Sequence, residues 1–239
     1  MERGHLGDAA LINSVAAKTE LLRRRLAEIA TAFVPAAFAN SLGAEDMLLT
    51  DLIVREKYDI EIFSLDTGRL PAETYELMGR LRRHYGLTLK LYYPRHELVE
   101  AYTRQHGING FYDSVELRKG CCNIRKVEPL QRALAGKKAW ITGLRAEQAA
   151  TRADLPLQEF DSANQLEKFN PLAEWTESEV WTYLHANHVP CNKLHEKNYP
   201  SIGCAPCTRA IRPGEHVRAG RWWWEDPSIR ECGLHIRSA

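Results

Sequence analysis

Five of the six cysteines in this sequence stand where thiol chemistry is expected. Cys121 and Cys122 are adjacent, Cys204 and Cys207 form a Cys-x-x-Cys pair, and Cys232 lies near the carboxyl terminus. Four soft thiolates suit an iron–sulfur cluster or zinc, whereas a lone thiol near the end of a chain suits a nucleophile. The sequence therefore predicts a metal centre and a separate reactive sulfur.

The spacing of the four paired cysteines leaves three kinds of centre open. Zinc sites usually use short cysteine pairs with a spacer inside each pair, so the adjacent Cys121 and Cys122 are unusual for zinc. Two distant segments must converge on one centre, since 81 residues separate Cys122 from Cys204. An iron–sulfur cluster, zinc and a redox-active disulfide all remain compatible with this spacing. A thioredoxin-like motif is disfavoured because no predicted strand precedes Cys204.

Length and composition predict one globular domain over residues 1–239, with 44% hydrophobic residues for its core. The net charge of +1 gives no indication of binding to nucleic acid or to a membrane surface. No apolar run approaches the ~20 residues that span a bilayer, and residues 1–8 do not resemble a signal peptide. We therefore expect a cytoplasmic protein, in which thiols stay reduced.

Hydrophobic periodicity predicts an α/β fold, a parallel sheet flanked by helices. An amino-terminal helical segment occupies residues 1–34, and an irregular carboxyl-terminal arm occupies residues 198–239 with the Cys-x-x-Cys pair and Cys232. The predicted helices are Leu11–Ala32, Met47–Arg55 and Pro71–Tyr85, and the predicted strands are Ala36–Asn40, Ile60–Leu65, Leu89–Tyr93 and Ala139–Gly143.

Two polar loops follow the first two strands, at the edge where open α/β sheets bind ligands. Ser41–Asp46 has no Lys-Ser/Thr ending, so an ATPase of the Walker type is disfavoured. This loop fits either a nucleotide site or a plain helix start capped by Ser41. The second loop, Leu65–Leu70, lies at the equivalent position, and the two together favour a nucleotide pocket.

Residues 203–221 contain a basic cluster in an otherwise neutral protein. Arg209, Arg212, Arg218 and Arg221 stand there against one acid, Glu215. Arginine binds oxyanions through two parallel hydrogen bonds, although a solvated surface gives the same composition. The cluster is therefore a candidate anion site.

Five motifs together resemble the sulfonucleotide reductases, and the paired cysteines are similar to the assimilatory branch that uses adenosine 5′-phosphosulfate (APS). The resemblance spans roughly residues 35–236. It implies an adenine-nucleotide α-hydrolase-like (PP-loop-like) fold, and reduction of APS to sulfite and AMP with thioredoxin or glutaredoxin as reductant. The motifs are Ser41–Asp46, Leu65–Leu70, Cys121–Leu130, Cys204–Cys207 and Glu231–His235.

The resemblance also assigns roles to residues. Cys121, Cys122, Cys204 and Cys207 would hold one four-iron, four-sulfur cluster. Cys232 would attack the sulfur of APS, expel AMP and carry the sulfo group as a Cys-S-sulfonate, which an external dithiol resolves. The expected substrate-binding residues are Ser41, Gly43, Leu65, Lys126, Gly143, Arg152, Arg218, Arg221 and His235.

Lys126 stands four residues after Cys122. If a helix begins at Ile124, Lys126 lies in its first turn and reaches both a cluster sulfur and a substrate oxygen. We therefore expect Lys126 to couple the two sites electrostatically.

Two other interpretations stay open. One is a neighbouring enzyme of the same fold, a reductase of 3′-phosphoadenosine 5′-phosphosulfate (PAPS) or another PP-loop-type sulfur-transfer enzyme. The other is a non-catalytic metal module that binds nucleic acid, which the low net charge and Cys232 disfavour. We interpret Cys191 as structural and Trp222–Trp224 as packing residues, with a thioredoxin-docking surface as the alternative for the tryptophans. A homo-oligomer is compatible with the sequence.

Overall fold

A computed structural model describes residues 2–148, 154–226 and 234, with side chains from residue 9 onward. Within these residues, the centre is a six-stranded sheet in the order β3-β2-β1-β4-β6-β5, and every neighbouring pair is parallel except β5 with β6. The predicted parallel sheet is confirmed, with one antiparallel edge strand as the difference. In chain order, the strands are β1 (Ala36–Ala39), β2 (Ile60–Leu65), β3 (Lys90–Tyr92), β4 (Ala139–Ile141), β5 (Gln158–Asp161) and β6 (Leu166–Phe169).

Helices pack on both faces of this sheet. No helix in the described part of the chain is long and apolar enough to cross a bilayer. The α-helices are α1 (Glu2–Ala32), α2 (Ala44–Arg55), α3 (Ala72–Tyr85), α4 (His96–His106), α5 (Val115–Cys122), α6 (Glu128–Leu134) and α7 (Glu177–Ala186).

The central strand β1 contributes to two cores, because successive side chains of a strand point to opposite faces. Phe38 packs in the larger core with Leu26 of α1 and Met47 of α2. Ala37 packs in the smaller core with Leu130 of α6. Packing from both sides fixes the position of the loop that follows β1.

The strand order reverses at β1, which has β2 and β3 on one side and β4 on the other. Loops at the carboxyl ends of parallel strands diverge at such a reversal and leave a crevice where ligands bind. The loops after β1, β2 and β4 therefore enclose the expected ligand-binding crevice.

The start of α2 differs from one of the two expectations. Gly43 caps this helix and contributes no side-chain hydrogen bond. Ser41 instead accepts a long hydrogen bond of 3.4 Å from the Gly43 N–H. The interpretation of Ser41 as a plain helix cap is therefore wrong. The interpretation of this loop as part of a nucleotide site stays a prediction.

The helix around the adjacent cysteines also begins earlier than expected. Ser114 caps α5 by accepting a 3.2 Å hydrogen bond from the Leu117 N–H. The helix continues past Cys122 as a π-helical segment, Asn123–Val127, and then becomes α6. Lys126 thus lies in a wide turn within a long helix and not in the first turn of a new one.

Candidate active site

A cavity of about 500 Å³ opens at the carboxyl ends of β1, β2 and β4. Of the predicted site residues, Arg152, Cys232 and His235 lie outside the described part of the chain. The predicted substrate-binding residues that line the cavity are Ser41, Gly43, Leu65, Lys126, Gly143, Arg218 and Arg221. The structure therefore brings together residues from five separate sequence segments, and their role in binding stays a prediction.

The loop after β1 is held from inside the protein. Asn40 accepts a 2.6 Å hydrogen bond from the Leu42 N–H and donates a 2.7 Å hydrogen bond to Thr50. Leu42 has φ 65° and is buried, so its side chain anchors a turn that L-residues seldom adopt. This anchoring fixes the direction in which the Ser41–Gly43 backbone faces the cavity.

Gly143 after β4 is required by a close approach. A Cβ at this position would lie 2.0 Å from an Asp46 carboxylate oxygen, which no side chain permits. Asp46 accepts a 2.6 Å hydrogen bond from the Ser41 N–H and a further one from the Gly143 backbone. Burial raises the pKa of Asp46 to about 7, although these hydrogen bonds lower it. Asp46 therefore ties the first loop to the third.

A second, small cavity of about 20 Å³ lies beside the first. Cys121 and Cys122 reach it from the last turn of α5, and Cys204 and Cys207 reach it from either end of a short 3₁₀ turn. All four cysteines are free of disulfides. The structure thus brings the two predicted pairs to one place.

The electrostatics of these thiols reflect their proximity. Burial raises the pKa of Cys207 to about 12, and the neighbouring Cys204 and Cys122 raise it further. Burial also raises the pKa of Cys121, whereas the nearby Arg125 lowers it. Grouped, buried thiols are hard to ionise without a cation to stabilise them, which suits a donor set built for metal. Among the described residues, no group of three or more ligating side chains is arranged to hold a single metal ion.

Sequence reasoning missed how the Leu65–Leu70 loop contacts this centre. The Thr67 hydroxyl lies 3.2 Å from the sulfur of Cys204. Arg125 donates a 2.6 Å hydrogen bond to the Thr67 carbonyl oxygen, and the Ala205 N–H donates to the Arg69 carbonyl oxygen at 2.8 Å. The polar loop after β2 was the available signal, but its partner lies 137 residues away.

Four residues line both cavities and form a common wall: Lys126, Cys204, Arg221 and Trp222. Arg221 fits this wall because Gly203 has no side chain, since a Cβ there would lie 2.3 Å from the guanidinium group. Its charge and that of Lys126 both lower the pKa of Cys207, against the larger effect of burial. Two cations thus face the thiols and the larger cavity together.

A buried ion pair attaches the carboxyl-terminal segment to the cysteine helix. Arg118 of α5 is fully buried and donates two hydrogen bonds to Glu225, at 2.6 and 2.8 Å. Its guanidinium group also lies 4.7 Å from the ring centre of Trp222. Trp222 is buried, in agreement with its interpretation as a packing residue, whereas Trp223 is exposed.

A family model and two similar proteins relate this chain to the same group of reductases. The family model of the phosphoadenosine phosphosulfate reductase domain matches residues 35–210. An adenosine 5′-phosphosulfate reductase of Allochromatium vinosum is 60% identical over 84% of this chain and 78% of its own length. The corresponding protein of Burkholderia cepacia is 56% identical over 95% and 91%.

A solved structure shows the same fold. The PAPS reductase of Candida auris superimposes with a TM-score of 0.67 at 27% identity, over 84% of this chain and 96% of that one. The predicted adenine-nucleotide α-hydrolase-like fold is thereby confirmed.

Proposed function

Because this chain belongs to the phosphoadenosine phosphosulfate reductase domain family, we propose that it reduces APS to sulfite and AMP. Relatives at 60 and 56% identity that carry the name APS reductase support this substrate. The observation that carries the proposal is the common wall, where Lys126 and Arg221 face both a nucleotide-sized cavity and four converging thiols.

The four cysteines at the smaller cavity would hold a four-iron, four-sulfur cluster. Their fit rests on the donor set, which is four soft thiols from two segments, with no disulfide among them. When bound, such a cluster would supply a fixed charge distribution beside the substrate cavity and need not change its oxidation state. The Thr67 hydroxyl, 3.2 Å from the sulfur of Cys204, would donate a hydrogen bond to the sulfur of that ligand.

The larger cavity would bind the nucleotide. Backbone groups of the Ser41–Gly43 loop, Leu65 and Gly143 lie at its strand edge and would contact the adenosine part. Lys126, Arg218 and Arg221 would pair with the phosphosulfate oxygens, since guanidinium groups bind oxyanions bidentately. Arg152 and His235 would complete this set.

Cys232 would carry out the chemical step. Its thiolate attacks the sulfur of the sulfo group, the bond from that sulfur to the bridging oxygen breaks, and AMP leaves with the electron pair. Leu234, which lines the cavity, follows Cys232 by two residues. This position in the sequence supports Cys232 as the proposed nucleophile.

An external dithiol, thioredoxin or glutaredoxin, would complete the cycle. One of its thiolates attacks the Cys232 sulfur and sulfite leaves with the bonding pair, which forms a mixed disulfide. The second thiol then closes a disulfide in the reductant and frees Cys232. The two electrons gained by the substrate sulfur therefore come from oxidation of the dithiol. A reducing compartment, the cytoplasm, suits this chemistry.

A sulfite-release assay with thioredoxin tests the proposal on anaerobically purified protein, whose absorbance spectrum first distinguishes an iron–sulfur cluster from zinc. We expect visible absorbance from a cluster and rapid sulfite release from APS. PAPS reduction stands as the alternative because the Candida auris structure is that of a PAPS reductase. Faster release from PAPS than from APS would favour that alternative, and release from neither would reject both.

A further inference from the structure

One imidazole at the larger cavity has no role in the proposed reaction. His195 lies in a short 3₁₀ turn, His195–Lys197, and lines the cavity. Its Nε2 atom is buried and has no hydrogen-bond partner among the residues that the structure describes. Buried polar atoms nearly always have a partner, so an unpaired one at a cavity indicates a ligand group that supplies it.

The surroundings of His195 determine what Nε2 can do. Burial lowers the pKa of His195, although the charge of Glu45 and a hydrogen bond to the Tyr199 backbone raise it. The imidazole is therefore neutral at neutral pH. We assign the contact with the Tyr199 backbone to Nδ1, because Nε2 has no partner among the described residues. A neutral ring that donates from Nδ1 offers Nε2 as an acceptor only.

Neighbouring groups make this corner of the cavity rich in acceptors. Glu45 lines the cavity beside His195 and is held by Arg145, which donates a 2.8 Å hydrogen bond to one carboxylate oxygen. Trp181 packs edge-on against the imidazole, with ring centres 5.2 Å apart, and restricts its rotation. A carboxylate oxygen and a neutral nitrogen acceptor suit a hydroxyl group, which donates a hydrogen bond. A phosphate group does not suit them, because it is negatively charged and offers no neutral hydrogen-bond donor.

We propose that His195 accepts a hydrogen bond through Nε2 from a ribose hydroxyl of the bound nucleotide, and that with Glu45 it disfavours nucleotides phosphorylated at the 3′ position. His195 is thus a specificity-determining residue for APS over PAPS. This inference rests on the proposed function only in taking the larger cavity as the nucleotide site.

Calorimetric binding of AMP, the product, tests the inference without any reduction. We expect wild-type protein to bind AMP about tenfold more tightly than one of the two nucleotides 2′-deoxy-AMP and 3′-deoxy-AMP. The weaker ligand is the one that lacks the donating hydroxyl, because one buried hydrogen bond is lost. His195→Phe keeps the ring shape beside Trp181 but removes the acceptor. This variant should bind AMP about tenfold more weakly than wild type does. It should also bind AMP and the deoxynucleotide that lacks the donating hydroxyl with equal affinity.

Discrimination against the 3′-phosphate supplies an independent readout. Adenosine 3′,5′-bisphosphate should bind wild-type protein more weakly than AMP, and the difference should narrow in His195→Phe. His195→Gln, whose amide oxygen is an acceptor, should recover part of the preference. His185→Phe is the matched control, since His185 is exposed and contacts the same Trp181 without lining the cavity.

Three outcomes would overturn the inference. The first is unchanged AMP affinity in His195→Phe, and the second is an equal loss of affinity for all nucleotides in that variant. The third is wild-type protein that binds inosine monophosphate, which changes the base, more weakly than AMP but binds the deoxynucleotides, which change the ribose, as tightly as AMP. If wild-type protein binds no AMP at all, the nucleotide site of the proposed function fails as well.

Discussion

At the scale of single residues, the candidate site depends on buried side chains that join separate loops. Asp46 joins two loops by accepting backbone N–H groups, and the absence of a side chain at Gly143 makes room for it. The sequence predicted Gly143 as a site residue but not the reason, because the contact joins residues 97 positions apart. Thr67 was missed for the same reason, since its partner Cys204 comes from another segment.

The pKa of Asp46 gives a prediction about pH. Its value of about 7 in the folded protein exceeds the ordinary value of 3.8, so between pH 4 and 7 the folded state keeps a proton that the unfolded chain has lost. The contribution of Asp46 to stability is therefore fully present below pH 4 and is lost as pH rises to 7. In Asp46→Asn, the free energy of unfolding should depend less steeply on pH in this window.

Urea unfolding of both proteins at several pH values measures this difference. The exposed Asp113→Asn serves as control and should keep the wild-type pH dependence. Parallel curves for wild type and Asp46→Asn would show that Asp46 titrates normally.

At the scale of elements, sequence patterns gave the central strands better than the helices that carry the cysteines. β1, β2 and β4 are short apolar segments and were predicted within two residues at each end. α7 was missed although Thr176 and Glu179 form a capping box, which is a readable signal. β5 and β6 were missed because both are four-residue strands with charged residues, so they show little alternation.

The link between α5 and the carboxyl-terminal segment predicts a strong effect on stability. Glu225→Ala removes the carboxylate that pairs with Arg118, whose side chain is 1% exposed. Removing one partner of a buried ion pair costs about 3–5 kcal/mol, because the other charge stays desolvated. We expect a loss of unfolding free energy in this range, measured by urea denaturation.

A matched control separates this effect from the loss of an ordinary ion pair. Glu76→Ala removes the pair with Lys193, in which both side chains are 54% exposed. Its cost should stay within about 1 kcal/mol. Equal losses in the two variants would contradict the anchoring role of Arg118 and Glu225.

At the scale of the whole molecule, the fold joins two sites that the sequence keeps far apart. The reversal of strand order at β1 opens the larger cavity, and the helix from Val115 to Leu134 brings Cys121, Cys122 and Lys126 to its side. Motifs in the sequence predicted both sites and the family. They predicted that Lys126 reaches both sites, but not that Arg221 shares its wall, because that wall exists only when three distant segments have packed together.

The covalent step on Cys232 is the central claim, and mass spectrometry of the carboxyl-terminal peptide tests it most directly. The protein is incubated with APS and no thiol reductant, with Cys232→Ser and Cys191→Ser treated in parallel. We predict that the wild-type and Cys191→Ser peptides containing Cys232 gain one sulfo group, that thioredoxin removes it as sulfite, and that Cys232→Ser gains none. An unmodified Cys232 peptide from protein that reduces APS once thioredoxin is added would contradict the account.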